Sequence, residues 1–156
     1  MKISRYKTLT IYQKAALLEL WDNEYPAQLG YSDMAAFDGY LDKLINVEHF
    51  LVEANDGTIM GWYFHFLRDN AKWFVIILSS EIQGKGVGSA LLAKAKKTET
   101  ELFGWLTDHD RYKKRNGDVY RSPLGFYKKN GFEVLADERL ELDKLSAVKI
   151  RWVKDD

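Results

Sequence analysis

The sequence predicts an α/β (α+β) fold with about seven strands and about four helices in the order βααβββαβαββ. Apolar runs of strand length alternate along the chain with stretches whose apolar residues recur at helical spacing. The turn Asn55-Asp56-Gly57 separates two of the strand-like runs and is typical of a hairpin. A glycine-rich segment, residues 83–89, lies between another apolar run and a helix-forming run, which is the pattern expected where a strand leads into a helix.

The first half of the chain is predicted to contain a strand, two helices and then a hairpin. Thr10 is of a residue type that caps helices, and apolar residues follow it at helical spacing. Pro26 and Gly30 interrupt this pattern, and Ser32 or Asp33 can cap a second helix. The predicted elements are a strand over 2–8, a helix after Thr10, a helix to about Ile45, and strands over 49–54 and 58–67.

The second half is predicted to alternate strands and helices and to end in two strands. Pro123 suits the first turn of a short helix, where a missing N–H costs nothing. Gly131 suits the left-handed position that ends this helix, and Phe132 would then be the first buried strand residue. The predicted elements are a strand over 72–78, a helix to about Thr98, a strand over 101–107, a polar loop over 108–121, a helix over 122–130, and strands over 132–135 and 147–153.

The glycine-rich segment between strand and helix indicates a phosphate-binding loop. Glycines let backbone N–H groups converge on an anion, and the start of a helix adds unpaired N–H donors. A Walker-type loop needs four residues between its first glycine and Gly-Lys-Ser/Thr, whereas here Gly84-Lys85 is followed by Gly86. A dinucleotide fingerprint needs G-x-G-x-x-G early in a βαβ unit, whereas Gly84-x-Gly86-x-Gly88 begins past the midpoint of a 156-residue chain.

Two motifs resemble those of the GNAT N-acetyltransferase family. Gln83-x-x-Gly86-x-Gly88 is similar to the family's pyrophosphate-binding signature, and the segment 126–132, Phe-Tyr-Lys-Lys-Asn-Gly-Phe, is similar to a second family motif. The predicted order of elements is also that of the GNAT fold, which has a mixed central sheet. The motifs cover roughly residues 73–135, and the resemblance implies a single GNAT domain over residues 1–156.

The resemblance implies an N-acetyltransferase that uses acetyl-CoA to acetylate a primary amine by direct attack. Tyr127 matches the family tyrosine that faces the sulfur and protonates the departing thiolate. The loop would hold the pyrophosphate, Gln83 would steady it, and the end of the preceding strand would pair with the pantetheine arm. The residues implied to bind the cofactor are Ile77, Leu78, Ser79, Gln83, Gly84, Lys85, Gly86, Val87, Gly88 and Ser89.

The general base cannot be carried over from the family, because the family has no fixed one. An alkyl amine is mostly protonated at neutral pH, so the reaction needs a base or a water path. Glu81 precedes the loop, and His109 lies near the end of the fifth strand, where sheets of this fold splay and the acceptor enters. Each is a candidate base, although Glu81 also fits a solvated residue and His109 a hydrated turn. His65, within an aromatic strand, is interpreted as a packed, hydrogen-bonded residue, and His49, at the start of a strand, as a structural residue.

Two features depart from the family pattern. The positions at which the family carries an asparagine and an alanine before Tyr127 correspond to Tyr120 and Pro123, so the asparagine contact to the cofactor is in doubt. The loop over 108–121 is longer than a typical connection and rich in charge, and loops of that kind are often functional. Its sequence resembles a subgroup pattern within the family that implies no particular substrate.

The composition excludes several classes of protein. Lys+Arg and Asp+Glu are both 23, so no basic excess points to nucleic-acid binding. No apolar run approaches the length of a membrane span, and the first residues do not resemble a signal peptide, so we expect a cytoplasmic protein. The absence of cysteine excludes thiolate metal sites. The three histidines are too scattered in the sequence to indicate a metal site, so we expect no bound metal.

The remaining predictions concern the partners. The expected acceptor is a small-molecule or peptide amine of unspecified structure, and a homodimer is an expectation from the family alone. An alternative function is a non-catalytic acyl-CoA-binding sensor or interaction module with the same fold. A pure binder would not need a phenol at the sulfur, although Tyr127 could then serve packing.

Overall fold

One mixed sheet contains all seven strands that the computed structural model describes within residues 1–155. The elements, in chain order, are β1 (Lys2–Tyr6), α1 (Ile11–Glu24), α2 (Met34–Asp42), β2 (Ile45–Glu53), β3 (Ile59–Arg68), β4 (Ala71–Leu78), α3 (Val87–Lys96), β5 (Glu101–Leu106), α4 (Leu124–Lys129), β6 (Glu133–Leu142) and β7 (Leu145–Val153). The sheet order is β1-β2-β3-β4-β5-β7-β6. The predicted element order βααβββαβαββ is therefore confirmed.

The first two helices begin at side-chain caps. At α1, Gln13 N donates to Thr10 Oγ1 at 3.1 Å and Thr10 N donates to Gln13 Oε1 at 2.8 Å, which is a reciprocal capping box. At α2, Ala36 N donates to Asp33 Oδ1 at 2.8 Å, so Asp33 is the cap. This helix ends at Asp42 rather than near Ile45, because Ile45 already pairs with β3.

The last hairpin is longer than the sequence pattern predicts. β6 extends to Leu142 instead of ending at Leu135, and β7 begins at Leu145. Most side chains of β6 are exposed at the edge of the sheet, so the strand carries no apolar alternation that could be recognised. A shift of register between Leu135 and Arg139 adds an irregularity to the pairing.

The helices cover the two faces of the sheet and form two cores. Along β3, Tyr63 packs toward α3 and α4, whereas Trp62 and Phe64 pack toward α1 and α2. The α3–α4 core is built around Phe50, Tyr63, Phe74, Leu91, Leu92 and Leu102. The α1–α2 core is built around Leu17, Trp21, Phe37, Leu51, Trp62 and Phe64. Within residues 1–155, no helix is long and apolar enough to span a membrane.

The sheet opens between its two parallel neighbours. β4 and β5 pair at one register position, Trp73 with Phe103. β4 continues to Leu78 and β5 to Leu106, so the two strands diverge beyond this point. Among the residues that the structure describes, the divergence leaves the edge of β4 that faces β5 without a strand partner over 75–78.

Two buried histidines form hydrogen bonds within the sheet. Trp62 Nε1 donates to His49 Nδ1 at 3.0 Å. His65 Nδ1 lies 2.7 Å from the Tyr63 hydroxyl, and its Nε2 lies 3.2 Å from Glu48 Oε2. These contacts confirm the interpretation of His65 as a packed, hydrogen-bonded residue and of His49 as a structural residue.

The burial of His49 predicts a loss of stability in mild acid. Burial lowers the pKa of His49 to about 4, and the neighbouring His65 adds to this effect. Below about pH 6.5 the unfolded chain takes up a proton that the native chain refuses, so the free energy of unfolding falls until the pH reaches the native pKa. We expect His49 to contribute a loss of about 2 kcal/mol between about pH 7.5 and pH 5, measurable by urea unfolding.

The matched control is His49→Gln, whose amide oxygen can still accept from Trp62 Nε1 but does not titrate. Its free energy of unfolding should change less with pH than that of the unsubstituted protein. An equal pH dependence in the two proteins would contradict the assignment of this loss of stability to His49.

Candidate functional site

A cavity of about 880 Å³ occupies the gap where β4 and β5 diverge. Lining residues on the α3–α4 face include Phe74, Leu78, Phe126 and Tyr127. Lining residues on the α1–α2 face include Trp21, Tyr25, Phe66 and Trp73. The cavity therefore runs through the sheet and connects its two faces, which gives two molecules separate routes to one point.

The glycine loop forms one end of this cavity. Gly84 and Gly86 have φ of +74° and +81°, a left-handed conformation that favours glycine. Gly86 directly precedes α3, and no side chain within residues 1–155 caps that helix, so the first N–H groups of α3 are free for an anion. Gln83 Nε2 donates to the Leu78 carbonyl at 3.0 Å, so this side chain ties the loop to the end of β4.

Gly88 serves close packing between two helices. A Cβ at this position would lie 2.8 Å from Phe126 Cζ, so only glycine lets α3 approach α4 this closely. By contrast, a Cβ at Gly84 or Gly86 would meet no atom of another described residue within 4 Å, chain neighbours apart. The three glycines thus have two different roles, and the space beside the first two is open.

Tyr127 brings a protonated phenol to the cavity. Its ring is buried against Phe74 and Phe132, with centroids 5.6 and 5.4 Å away. Burial raises the pKa of Tyr127, so the hydroxyl stays protonated in neutral solution. No group within residues 1–155 forms a hydrogen bond with this hydroxyl, which leaves it free to bond a ligand.

Eight of the ten residues expected to bind the cofactor line the cavity. They are Ile77, Leu78, Gln83, Gly84, Gly86, Val87, Gly88 and Ser89. Ser79 and Lys85 do not line it. The Ser79 N–H is already bonded, because it donates to the Met60 carbonyl at 2.8 Å.

Neither of the two candidate bases is among the residues that line this cavity. Glu81 is exposed on a short 3₁₀ turn after β4. His109 Nδ1 accepts a hydrogen bond from Arg111 N at 3.1 Å, and its ring packs on Tyr112. The expectation that His109 faces the gap is not met, because the chain after β5 is held elsewhere. Asp108 forms two hydrogen bonds with Arg139 on β6, at 2.8 and 3.1 Å, and Arg139 lowers the pKa of this carboxyl.

A partly buried ion pair that the sequence did not reveal lies at the cavity wall. Glu24, the last residue of α1, lies 2.9 Å from Lys114 Nζ and also accepts a hydrogen bond from Ser80 N at 2.9 Å. Backbone contacts reinforce this junction, since Ala27 N donates to the Lys113 carbonyl at 2.9 Å. The long loop over 108–121 is thereby docked on the end of α1 and forms part of the cavity wall.

Half-buried tyrosines make the cavity rich in neutral phenols. Tyr25, Tyr40 and Tyr120 all line it, and burial raises the pKa of each, that of Tyr120 to about 12. The ring of Tyr120 packs edge-on against Tyr25 at 6.2 Å. These side chains act as neutral hydrogen-bond donors and apolar surface rather than as bases. Within residues 1–155, no cluster of three or more His, Asp or Glu side chains could hold a metal ion.

The ion pair between Glu24 and Lys114 predicts strong coupling across the junction. We expect a double-mutant cycle of Glu24→Gln and Lys114→Gln to give a coupling energy of about 1–3 kcal/mol in unfolding experiments, because both side chains are shielded from water. The exposed fractions of the Glu24 and Lys114 side chains are 10% and 15%.

The matched control is the pair of Glu19 and Arg115, which joins the same helix to the same loop. These side chains are 67% and 53% exposed, so their coupling should be about 0.5 kcal/mol or less. Equal coupling in the two cycles would contradict a special role for Glu24.

Comparisons with known proteins agree with this geometry. A family model described as an acetyltransferase (GNAT) domain matches residues 46–134, more than half of the chain. A comparison with curated protein sequences finds no match.

Several solved structures share the fold over nearly their whole length. One is an aminoglycoside 6'-N-acetyltransferase complexed with coenzyme A, with 12% identity, a TM-score of 0.71 and 100% of both chains covered. Another is Escherichia coli ElaA, with 18% identity, a TM-score of 0.69, and 97% of this chain and 99% of that chain covered. A third is the PaiA N-acetyltransferase from Thermoplasma acidophilum in complex with coenzyme A, with 19% identity, a TM-score of 0.64, and 99% and 100% covered. At these identities the likeness concerns the fold.

Proposed function

The chain belongs to the GNAT acetyltransferase family, and on that premise we propose that it transfers an acetyl group from acetyl-CoA to a primary amine. One observation carries the proposal. A single cavity joins the glycine loop, the unpaired edge of β4 and the Tyr127 phenol, and it is open to both faces of the sheet. Such a passage lets a thioester enter from one face and an amine from the other.

The glycine loop is proposed to bind the pyrophosphate of the cofactor. The left-handed residues Gly84 and Gly86 form the turn before α3, and the first N–H groups of that helix have no side-chain cap among the described residues. These N–H groups are the proposed donors to the pyrophosphate. Gly86 leaves open space where a side chain would stand, as close contact with a phosphate requires. Gln83 contributes indirectly by holding the loop to β4.

The free edge of β4 is proposed to pair with the pantetheine arm. Amide groups of an extended ligand can bond to an unpaired strand edge as an added strand does. The unpaired stretch over 75–78 leads directly from the splay toward the glycine loop. Ile77 and Leu78 belong to this stretch and line the cavity.

Tyr127 is proposed as the general acid. In the reaction the amine nitrogen forms a bond to the carbonyl carbon, the bond from that carbon to sulfur breaks, and the sulfur gains a proton. The Tyr127 hydroxyl is protonated, buried and unbonded within residues 1–155, so it can donate that proton.

The proton lost by the amine is proposed to leave through a polar side pocket. This pocket of about 530 Å³ shares Glu24 and Lys114 with the main cavity and is also lined by Ser80 and Glu81. Glu81 then acts near solvent as an acceptor of protons rather than as a base in contact with the amine. The proposal assigns no proton transfer to His109, since that residue does not line the cavity.

Domain organisation, location and assembly complete the proposed picture of the protein. We propose a single domain over residues 1–156 and a cytoplasmic location, and a homodimer stays a prediction from the family. The proposed acceptor is a small-molecule or peptide amine.

Calorimetric titration with acetyl-CoA, with ATP and NADH as controls, tests the proposal. Binding of acetyl-CoA alone would support it, and a panel of amines could then be assayed by release of CoA thiol, to which this cysteine-free chain adds nothing. Failure to bind acetyl-CoA would overturn the proposal. Binding without thiol release for any amine would favour the alternative, a non-catalytic acyl-CoA-binding sensor or interaction module.

A further inference from the structure

Aromatic side chains surround the part of the cavity that lies on the α1–α2 face. They come from two helices, the residue after α1 and three strands, and include Trp21, Tyr25, Tyr40, Phe66, Trp73 and Trp105. The indole rings of Trp73 and Trp105 stack at 5.4 Å, and Trp21 packs edge-on against Tyr25 and Tyr40 at 4.8 and 5.5 Å. Rings held by one another in this way form a rigid apolar surface that fits a flat apolar molecule.

The charges in the cavity disfavour an acceptor with several positive groups. Among residues 1–155, Glu24 is the one carboxylate that lines the cavity, and Lys114 and Ser80 N already occupy its oxygens. The other ionised groups that line it are cations: Arg68, Arg121 and Lys129. A polyamine would find no free anion here and would be repelled by these cations.

Arg68 lies at the far end of the aromatic compartment from the glycine loop. Its guanidinium stands over the Phe66 ring, 4.9 Å from the centroid. It forms no ion pair or hydrogen bond with the described residues, so it is free to bind an anion. Arg68 pairs with Ala71 at the start of β4, whereas the loop follows Leu78, so about 20 Å of strand separates it from the proposed pyrophosphate site.

The register of the strands sets the spacing between this cation and the reacting group. Ala71 precedes Phe74 by three residues, and the Phe74 ring contacts Tyr127. At about 3.3 Å per residue, the level of Arg68 lies about 10 Å along the strand from the level of Tyr127. A molecule that reaches both places needs its amine and its anionic group at opposite ends.

We propose that the acceptor is a primary amine on an aromatic body that carries a carboxylate at the end distant from the amine. The inference rests on the proposed acetyl transfer. The aromatic walls hold the ring, Arg68 binds the carboxylate, and the amine nitrogen forms the new bond to the acetyl carbon as the bond to sulfur breaks. The carboxylate stays unchanged and the product is an N-acetylated aromatic acid.

The test compares two amines of matched shape, 4-(aminomethyl)benzoate and 4-methylbenzylamine, with spermidine as a polycation. We expect kcat/KM to be at least about tenfold higher for the carboxylate-bearing amine, as a charged hydrogen bond allows. Arg68→Gln should remove this preference by acting on the carboxylate-bearing amine alone. Arg111→Gln is the matched control, because Arg111 is exposed and lies outside the cavity.

Three results would overturn the inference. They are equal kcat/KM for the two aromatic amines, a preference that survives Arg68→Gln, and spermidine as the best of the three. If acetyl-CoA binds but no amine releases thiol, the proposed catalysis fails. The proposed acceptor class is then tested by calorimetric titration of CoA-loaded protein with each of the two aromatic amines. Tighter binding of the carboxylate-bearing amine that Arg68→Gln abolishes would support the acceptor class, and equal or absent binding would overturn it.

Discussion

Replacement of Gly86 by valine is expected to abolish acetyl-CoA binding while the protein stays folded. Gly86 has φ of +81°, where a β-branched residue is strained by more than about 1 kcal/mol, so the loop would leave this conformation. The N–H groups before α3 would then change direction, and the new methyl groups would occupy the space proposed for the phosphates. Calorimetric titration of Gly86→Val should show no heat of binding at concentrations that saturate the unsubstituted protein.

Gly39→Val separates this effect from a general loss of helix stability. Gly39 lies within α2, its φ is not positive, and a Cβ there meets no atom within 4 Å. This variant should bind acetyl-CoA like the unsubstituted protein. Thermal unfolding of both variants would show whether they are folded, and unaltered affinity in folded Gly86→Val would refute the assignment of the loop.

The glycine loop and the helix ends could be predicted from sequence because they depend on local chemistry. A glycine at a left-handed position or a hydroxyl before a helix acts within three or four residues of itself. The φ of +85° at Gly131 and the cap at Thr10 therefore match their predictions. The family motif reinforced the same local signals.

The wall of the cavity could not be predicted because distant segments form it. Glu24 and Lys114 are 90 residues apart, and nothing in either segment shows that they meet. His109 has the chemistry of a base, but the ion pair between Asp108 and Arg139 holds its segment against the far edge of the sheet. Which polar residue faces a site is decided by such tertiary contacts rather than by residue type.

The role of each glycine in the loop was also invisible in the spacing. Gly86 and Gly88 look equivalent in the motif, yet one gives the turn before the helix and the other a close approach of Phe126. Only the positions of neighbouring atoms distinguish the two roles.

Replacement of Tyr127 by phenylalanine is expected to lower kcat by about 100-fold and to leave the affinity for acetyl-CoA within about twofold. The ring contacts with Phe74 and Phe132 do not involve the hydroxyl, so the packing is retained. Because burial raises the pKa of Tyr127, its proton stays on throughout the neutral range, and Tyr127 itself should add no titration step to kcat between about pH 6 and pH 9. Single-turnover release of CoA thiol would measure the step directly.

Tyr120→Phe is the matched control, since Tyr120 is another cavity tyrosine whose pKa burial raises, to about 12. If the loss of rate in Tyr127→Phe came from cavity polarity alone, both variants would lose rate to a similar extent. A loss confined to Tyr127→Phe would assign the proton to that hydroxyl, whereas an unchanged rate would remove Tyr127 from the mechanism. Because no described group bonds the Tyr127 hydroxyl, its removal leaves no unpaired partner, and a lower kcat at equal affinity would report the chemistry of thiolate departure.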